Sequence, residues 1–598
     1  MKDAGCVHEQ TDDACSQSTP AVQPPVDQER HLTPVRMAEA ALAADRAHND
    51  PAIWIFRHSH AAILNRAMAL QAEGPRDRPL WGVPFAVKDN IDVAGIPTTA
   101  GCPGFAYTPE TDAPAVRRLL DAGALLIGKT NLDQFATGLV GTRSPYGVPR
   151  NVFDRTLVPG GSSSGSACAV AAGIVPFALG TDTAGSGRVP AAFGNIVGLK
   201  PTPGSVSATG MVPACRSIDT ISVFARSVDE ALLVQRLIAS YDPQDPYARL
   251  APFAHLRRGA MPPAARVAVA DVGALCEPAV AAAYGEASAF FGAAPVDIGL
   301  LLDVAWLLYQ GPWVAERTAA LRSVVTGRPD ILHPVTRGIL ESGLTRLSVD
   351  AFDAFHLLRQ ARRQAERIFA GCDALLLPAA PFRPSLLEVE ADPLGPNLRL
   401  GTFTNFANLC ELAAFAVPMG FAPDGTPVGG VLLGPAWSEG RLAPLADALH
   451  RRFADTVGAT GQGLPPPLAP DELAAEETAL FCIGAHMSGL PLNGQITSLG
   501  GRFVREARTS PDYKLFALGA RPGMVRAADG AAIAGEVWAL PATAIGALLA
   551  QVPPPLGFGT VTLEDGPCLG FLAESSGLAG AAEITHLGGW RAWLRSEG

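Results

Sequence analysis

Two turns rich in glycine and hydroxyl side chains lie within residues 157–202. The first holds Ser162 among four clustered serines, and the second, over residues 180–188, contains Ser186. Glycine permits tight turns and brings backbone N–H groups close to a ligand. A short helix and a strand between the turns would let them face each other across a pocket. Such a pocket suits acyl transfer, which needs a nucleophile and backbone donors for an oxyanion.

A serine nucleophile needs a proton acceptor, and Lys88 is the candidate base. The chain has five lysines among its 46 basic residues, so arginine supplies nearly all of the positive charge. A buried lysine can lose its proton, whereas a guanidinium stays charged. Lys88 ends the apolar run 83–88, which predicts a strand that would bury the amine. An ion pair with Asp89 or Asp92 at the strand end is the alternative.

The runs VPFAVKDNIDVAGIPTTAG and PGGSSSGSACAVAAGIVPFALGTDTAGSGRVPAAFGNIVGLKPT resemble the amidase-signature hydrolases, and the resemblance extends from about residue 50 to residue 455. It implies a mixed β-sheet covered by helices. It also implies a triad of Ser186 as nucleophile, Ser162 as a cis-serine and Lys88 as base. Neutral Lys88 would accept a proton from Ser162, which in turn accepts that of Ser186. The implied oxyanion hole is formed by backbone amides around Thr183, Ala184, Gly185 and Ser186.

Two other features of these turns have structural interpretations. Asp182 and Arg188 flank Ser186, and we expect them to form an ion pair that holds the turn rather than to take part in catalysis. Residues 161–165 also fit the G-x-S-x-G elbow of α/β-hydrolases, with Ser163 as nucleophile. That alternative needs an acid and a histidine further along the chain, and it explains neither the lysine nor the second turn.

Three residues outside the turns are candidates for substrate binding. Gly138 lies in the loop 131–147, which the family places at the active site; an ordinary turn glycine is the alternative. The run AGSGRVPA resembles the allophanate hydrolase branch of the family, in which residues at the positions of Tyr309 and Arg317 hold a small carboxylated urea. A guanidinium matches a carboxylate with two hydrogen bonds. The two positions are about two helical turns apart, so one helix face would present both. A half-buried tyrosine and a helix-surface arginine are the alternative.

Residues 479–598 are predicted to form a separate, mostly β domain, because short strand candidates recur there. The runs LFCIGAHMSGLPLNGQ and AIAGEVWALP resemble the C-terminal domain of allophanate hydrolases, which is itself similar to γ-glutamyl cyclotransferases. The Tyr-Gly-Ser/Thr-Leu turn of the cyclotransferases is replaced here by residues 483–486, which argues against that activity. A histidine at the His486 position is thought to assist a decarboxylation in some members; a structural histidine is the alternative.

Strands that alternate with helices must position these residues, which predicts an α/β fold. Strands are expected at 83–88, 125–128, 267–270 and 374–377, with helices at 278–291 and 351–370. The apolar spacing between residues 53 and 67 predicts one helix face. The predicted parts of the chain are a disordered tail (1–30), an amidase-signature domain (31–455), a linker (456–478) and the C-terminal domain (479–598).

Composition narrows the classes of function. With 57 acidic and 46 basic residues, the formal net charge of −11 argues against nucleic-acid binding and gives no reason to expect binding to an anionic membrane. The ten cysteines include no C-x-x-C pair, so no zinc site is expected. Without a leader-like or membrane-spanning apolar run, the sequence predicts a cytoplasmic protein with reduced thiols. The expected chemistry needs neither a metal nor an organic cofactor.

The residues and the resemblance together predict an amidohydrolase that converts allophanate (urea-1-carboxylate) to ammonia and carbon dioxide. We expect a homodimer, while association with a urea carboxylase or with upstream amidohydrolases is an open question. The alternatives are an amidase for other small amides, an amidotransferase A-type subunit, and a non-catalytic binding protein on the same fold.

Overall fold

The computed structural model describes residues 32–597, so the predicted tail 1–30 lies outside the described residues. The larger domain is built on one mixed sheet. Its strands are β1 (Trp54–Arg57), β2 (Pro84–Lys88), β3 (Leu125–Thr130), β4 (Phe177–Asp182), β5 (Val197–Lys200), β6 (Thr220–Ala225), β7 (Val267–Val269), β8 (Ala294–Pro295), β9 (Ala374–Pro378), β10 (Ala413–Phe421) and β11 (Pro427–Gly434). They lie in the order β1-β3-β2-β4-β6-β5-β10-β11-β9-β7-β8.

The centre of this sheet places the predicted active-site segments at one edge. Strand β2 pairs in parallel with both β3 and β4, and Val87 lies opposite Leu179. Because the carboxyl ends of parallel neighbours meet at the same edge, Lys88 at the end of β2 lies beside the turn that follows β4. All residues of both strands are buried, as expected for a sheet covered on both faces.

Helices cover the sheet, and the short helix between the two serine turns is α4. The helices of this domain are α1 (Pro34–His48), α2 (His60–Glu73), α3 (Pro114–Asp121), α4 (Ser164–Ala171), α5 (Val189–Phe193), α6 (Val228–Ile238), α7 (Pro278–Phe291), α8 (Gly299–Ala305), α9 (Leu307–Gln310), α10 (Trp313–Ala320), α11 (Arg322–Gly327), α12 (Pro334–Ser342), α13 (Ser348–Gly371), α14 (Leu386–Ala391), α15 (Gly395–Leu400), α16 (Asn405–Leu409) and α17 (Glu439–Phe453). None of the helices within residues 32–597 is both long and apolar enough to cross a membrane.

The C-terminal domain is mostly β and has a hydrophobic core of its own. Its strands are β12 (Glu477–Cys482), β13 (Arg502–Arg508), β14 (Tyr513–Leu518), β15 (Arg521–Arg526), β16 (Ala534–Pro541), β17 (Leu556–Leu563), β18 (Gly566–Ala573) and β19 (Ala582–Glu583), with helices α18 (Asn493–Ser498), α19 (Ile545–Leu549) and α20 (Trp590–Glu597). One sheet has the order β13-β16-β12-β18-β17 and the other β15-β14-β19. The predicted fold class, a mixed sheet with helices followed by a mostly β domain, is confirmed.

The segment 456–478 that joins the two domains has no helix, and a strand begins in it only at Glu477. It is nevertheless tied to both domains through Asp471. The carboxylate of Asp471 forms an ion pair with Arg236 of the larger domain. The backbone carbonyl of Asp471 accepts a hydrogen bond at 2.8 Å from Arg502 of the C-terminal domain.

The prediction of a single helix face across residues 53–67 is wrong. Trp54–Arg57 is an edge strand that pairs antiparallel with β3, and α2 begins only at His60. The β-branched and aromatic side chains of this run favour a strand. Ser59 then starts the helix, because its hydroxyl accepts the backbone N–H of Ala62.

Candidate active site

Lys88, Ser162 and Ser186 form one continuous chain of hydrogen bonds. Lys88 Nζ lies 2.8 Å from Ser162 Oγ, and Ser162 Oγ lies 2.9 Å from Ser186 Oγ. All three side chains are buried, and the peptide bond between Gly161 and Ser162 is cis. The structure therefore brings together the three residues that the sequence singled out as nucleophile, bridge and base.

The environment of Lys88 favours the neutral amine. Burial lowers the pKa of Lys88 to about 7, even though the negative charges of Asp133 and Asp182 oppose this effect. The alternative partners do not hold the amine, because Asp89 forms an ion pair with Lys129 at 2.9 Å and Asp92 accepts the hydroxyls of Thr98 and Tyr107, each at 2.8 Å. Lys88 is thus able to accept a proton near neutral pH.

Thr181 completes the surroundings of the amine, and the sequence analysis missed it. Its Oγ1 accepts a hydrogen bond from Lys88 Nζ at 2.7 Å. A neutral amine has two N–H groups and one lone pair. A bond to Thr181 therefore leaves the lone pair free for the hydroxyl of Ser162. The pairing of β2 with β4 brings Thr181 to the end of β2, and no local pattern in the sequence singles it out.

Asp182 and Arg188 hold the turn that carries Ser186. The guanidinium of Arg188 donates to the carboxylate of Asp182 through Nε at 2.9 Å and through Nη2 at 2.8 Å, and both side chains are fully buried. The same carboxylate accepts the backbone N–H of Gly187 at 2.9 Å. Asn408 bridges the two halves of this network, since it donates to the carbonyl of Asp182 and accepts from Arg188. The expected ion pair is present.

Backbone donors lie unused at the predicted oxyanion hole. The N–H groups of Thr183, Ala184, Gly185 and Ser186 donate no hydrogen bond to any residue in the range 32–597. Thr183 anchors the start of this turn, because its hydroxyl donates to the buried carboxylate of Asp219. Burial raises the pKa of Asp219 to about 6, although the hydrogen bonds that its carboxylate accepts act in the opposite direction and lower the pKa. The turn can therefore present N–H groups to an oxyanion.

Gly138 lies in a loop that is organised by Asp133, a second residue that the sequence analysis missed. The carboxylate of Asp133 accepts hydrogen bonds from the backbone N–H groups of Gly141 and Arg143, each at 2.9 Å. The backbone N–H of Asp133 donates to the carbonyl of Ser162 at 3.0 Å. A Cβ at Gly138 would lie only 2.5 Å from Asp133 Oδ2, so the close approach requires glycine. A buried acid in a glycine-rich loop was the available signal.

Tyr309 and Arg317 contact each other but do not share a helix. The chain breaks at Gly311 and Pro312, so Tyr309 lies on α9 and Arg317 on α10. The guanidinium nevertheless lies 5.1 Å from the centre of the tyrosine ring. The prediction of one helix face is wrong, while the two side chains do meet.

Arg317 is a buried cation with spare donors. Its Nη1 donates to the carbonyl of Ala136 at 3.2 Å and to Thr137 Oγ1 at 3.1 Å, which places it against the loop of Gly138. Its Nε and Nη2 atoms and the hydroxyl of Tyr309 have no hydrogen-bond partner in the described part of the chain. Because buried charges are ordinarily paired, these groups are suited to an anionic ligand.

His486 and Ser163, the two other candidate residues, form no hydrogen bond with the side chains of the triad. His486 lies in the C-terminal domain, where its Nε2 is 2.9 Å from Gln495 Oε1 and its ring stacks on Phe571 with centroids 4.7 Å apart. Burial lowers its pKa. The hydroxyl of Ser163 donates to the carbonyl of Thr181 at 3.2 Å and has no histidine partner among residues 32–597, so the α/β-hydrolase alternative has no support.

Two family profiles match the chain. The Amidase profile matches residues 39–443, and the profile "Allophanate hydrolase C-terminal domain" matches residues 478–595. The chain therefore belongs to the amidase family.

Within that family, the chain is similar over most of its length to allophanate hydrolases. The selenomethionine-substituted allophanate hydrolase of Kluyveromyces lactis is 37% identical, covers 95% of this chain and 97% of its own, and superposes with a TM-score of 0.75. The urea amidolyase of Saccharomyces cerevisiae is 39% identical over 94% of this chain, which spans only 32% of that relative's length. The A-type subunit of the glutamyl-tRNA(Gln) amidotransferase of Symbiobacterium thermophilum is 36% identical over 70% of this chain and 93% of its own.

Proposed function

We propose that this chain is an allophanate hydrolase that uses Ser186, Ser162 and Lys88 as its catalytic residues. The observation that carries the proposal is the unbroken chain of hydrogen bonds from Lys88 Nζ to Ser186 Oγ, at 2.8 and 2.9 Å. The similarity to allophanate hydrolases over both domains supports the choice of substrate. We propose the division at residues 455 and 479 as the boundary between an amidase domain and an accessory domain.

The first half of the reaction forms an acyl-enzyme. Neutral Lys88 accepts the proton of Ser162 while Ser162 accepts that of Ser186, so the Ser186 oxygen attacks the terminal amide carbon of allophanate. The tetrahedral oxyanion is stabilised by the free N–H groups of residues 183–186, and the hydroxyl of Thr183 anchors the turn. The proton returns through Ser162 to the nitrogen, the C–N bond breaks, and ammonia leaves.

The second half of the reaction releases the product. Water replaces ammonia and gives its proton to the same relay, while its oxygen attacks the acyl carbon on Ser186. Collapse of the oxyanion frees N-carboxycarbamate and restores the hydroxyl. Loss of carbon dioxide from N-carboxycarbamate and then from carbamate yields two ammonia and two carbon dioxide molecules for each allophanate.

Arg317 and Tyr309 select the substrate. The spare Nε and Nη2 donors of Arg317 bind the carboxylate, and the phenol of Tyr309 donates to a carbonyl oxygen. Gly138 supports this arrangement, because its own N–H donates to no residue in the described range and the loop also contacts Arg317. A neutral amide lacks the group that Arg317 recognises, so it binds more weakly.

For the C-terminal domain, we propose that the two decarboxylations proceed without catalysis by His486. The hydrogen bond to Gln495 and the stacking on Phe571 favour a structural histidine. His486→Ala is the test, since ammonia release in the steady state remains unchanged if the domain only supports the fold. Accumulation of N-carboxycarbamate in that variant would instead assign the residue to decarboxylation.

The partners, the oligomeric state and the compartment of this chain are further parts of the proposal. The chain spans about a third of the length of the urea amidolyases it matches. We propose that it acts as a homodimer in the cytoplasm, in association with a urea carboxylase activity or with upstream amidohydrolases. The free thiols of the described cysteines are compatible with a reducing compartment. An amidotransferase subunit is the main rival, and the match to the C-terminal profile at residues 478–595 favours the hydrolase.

The deciding experiment measures ammonia release by the purified chain from allophanate, biuret, malonamate and a simple amide, with Ser186→Ala as the control. We expect turnover of allophanate without added protein, lower kcat/KM for the neutral amides, and no release by the variant. Turnover of neutral amides with equal kcat/KM would refute the proposed substrate, and a requirement for partner subunits would support the amidotransferase alternative.

A further inference from the structure

A cavity of about 280 Å³ leads from the protein surface to the side chain of Tyr309. Its rim includes Leu275 and Trp306, which are 47% and 48% exposed, and the exposed Arg399. Its floor includes Tyr309 and Asn405, which are both buried. The cavity therefore extends from an exposed mouth to Tyr309, one of the substrate-binding residues proposed above.

The floor of the cavity adjoins the nucleophile turn through the segment 401–405. Thr404 packs so closely against Gly185 that a Cβ added at Gly185 would collide with the hydroxyl oxygen of Thr404. The carbonyl of Thr404 accepts a hydrogen bond from Arg188 at 2.8 Å. The side-chain oxygens of Thr404 and Asn405 have no partner in the described range. Polar atoms without partners thus continue from the floor of the cavity to the residues beside Ser186.

Arg399 is the only arginine of the described residues that lines the cavity, and it forms no ion pair within residues 32–597, although the carboxylate of Glu388 is near enough to interact with its charge. Its guanidinium lies 3.9 Å from the centre of the Phe382 ring, and this stacking holds the cation at the rim with its N–H groups available. The formal net charge of the chain is −11, so the protein as a whole repels an anion. A local cation at the mouth offsets that repulsion where a substrate arrives.

We propose that this cavity is the entrance to Ser186 and that Arg399 accelerates the capture of anionic substrates there. The role of Arg399 rests on the proposed function, because it requires a carboxylated substrate. The role of the cavity as a passage does not, because labelling of Ser186 by a neutral reagent measures access to the nucleophile whatever the natural substrate is.

The first test changes the charge at the mouth. Arg399→Glu is expected to lower kcat/KM for allophanate by about three- to tenfold at low ionic strength, with kcat unchanged and with a smaller effect in high salt. The kcat/KM for a neutral amide should stay the same. Arg363→Glu is the matched control, because Arg363 is an exposed arginine of α13 outside the cavity. Equal effects of the two variants, or of charged and neutral substrates, would overturn the role of Arg399.

The second test blocks the floor and needs no assumption about the substrate. Ala305 lines the floor and is 3% exposed. Ala305→Phe is expected to slow labelling of Ser186 by a small neutral fluorophosphonate about tenfold or more, whereas Ala305→Ser should leave the rate within about twofold. Trp306→Ala, at the mouth, should not slow the reaction.

The outcomes separate the two proposals. Normal labelling of a folded Ala305→Phe variant, or no labelling of the wild-type Ser186, would overturn the entrance. If Ala305→Phe does not fold, slower labelling of Ser186 in Trp306→Ala would overturn the proposal that the cavity is the entrance. The comparison of Arg399→Glu with Arg363→Glu tests the role of Arg399 separately. If Ala305→Phe blocks the labelling of Ser186 but the wild-type protein does not turn over allophanate, the cavity is supported as the entrance and the proposed substrate is refuted.

Discussion

The Nζ atom of Lys88 lies 2.7 Å from the Oγ1 atom of Thr181, on the strand that leads into the Ser186 turn. This contact orients the amine, because an N–H directed at Thr181 leaves the lone pair directed at Ser162. The base is therefore held by the same strand that delivers the nucleophile.

Thr181→Val tests this orientation, since valine keeps the shape and removes the acceptor. We expect kcat to fall about ten- to a hundredfold, equivalent to about 1–3 kcal/mol for a buried donor left without a partner, with little change in KM. Thr336→Val is the control, because Thr336 is equally buried and its hydroxyl has no hydrogen bond within the described residues. Full activity of Thr181→Val would contradict the orientation.

Lys88→Arg keeps the positive charge and removes the capacity to act as a base. A guanidinium does not lose its proton, so we expect a loss of about a thousandfold or more in kcat, close to that of Lys88→Met. Steady-state ammonia release measures both variants. Lys514→Arg serves as the control, because Lys514 forms an exposed ion pair with Asp529. An active Lys88→Arg enzyme would rule out the base.

Arg317→Ala is expected to separate charged from neutral substrates. The loss of a hydrogen-bonded charge costs about 1.5–3 kcal/mol, so kcat/KM for allophanate and malonamate should fall about ten- to a hundredfold. Neutral amides should lose much less, although the bonds from Arg317 to Ala136 and Thr137 are lost for every substrate. Equal losses for both classes would mean that Arg317 only supports the loop.

Arg188→Met should destabilise the amidase domain. It leaves the carboxylate of Asp182 buried without its partner, which costs about 3–5 kcal/mol of unfolding free energy. Urea denaturation followed by tryptophan fluorescence should show a lower midpoint. Arg505→Met removes an exposed ion pair with Asp565 and should cost about 1 kcal/mol or less. Similar midpoints for the two variants would show that the buried pair does not hold the turn.

The sequence, together with the family resemblance, predicted all three residues of the relay and not the residues that orient them. Lys88 was singled out because lysine is rare in this chain, and the glycine turns indicated acyl transfer, but the roles of Ser162 and Ser186 came from the family resemblance. Thr181 was missed because its role depends on which strands are neighbours, and a pairing of β2 with β4 is not encoded locally. Asp133 was missed for the same reason, since its carbonyl partner at Ser162 is brought near only by the fold.

Local pattern also misled where secondary structure was ambiguous. The apolar residues between 53 and 67 suit a helix face, but the strand Trp54–Arg57 gains a partner in β3 that no local pattern reveals. For Tyr309 and Arg317, the Gly311-Pro312 break was visible in the sequence and outweighs the spacing.

The pH dependence of ammonia release from allophanate tests most directly whether Lys88 is an uncharged base. Because burial lowers its pKa to about 7, kcat/KM should rise with pH to a plateau, with a midpoint near 7 and a tenfold fall per pH unit below it. The fall should steepen below about pH 6, where Asp219 becomes protonated and releases the oxyanion turn. A profile that is flat between pH 5 and 9, or one that is unchanged in Lys88→Met, would contradict a neutral lysine that activates Ser186 through Ser162.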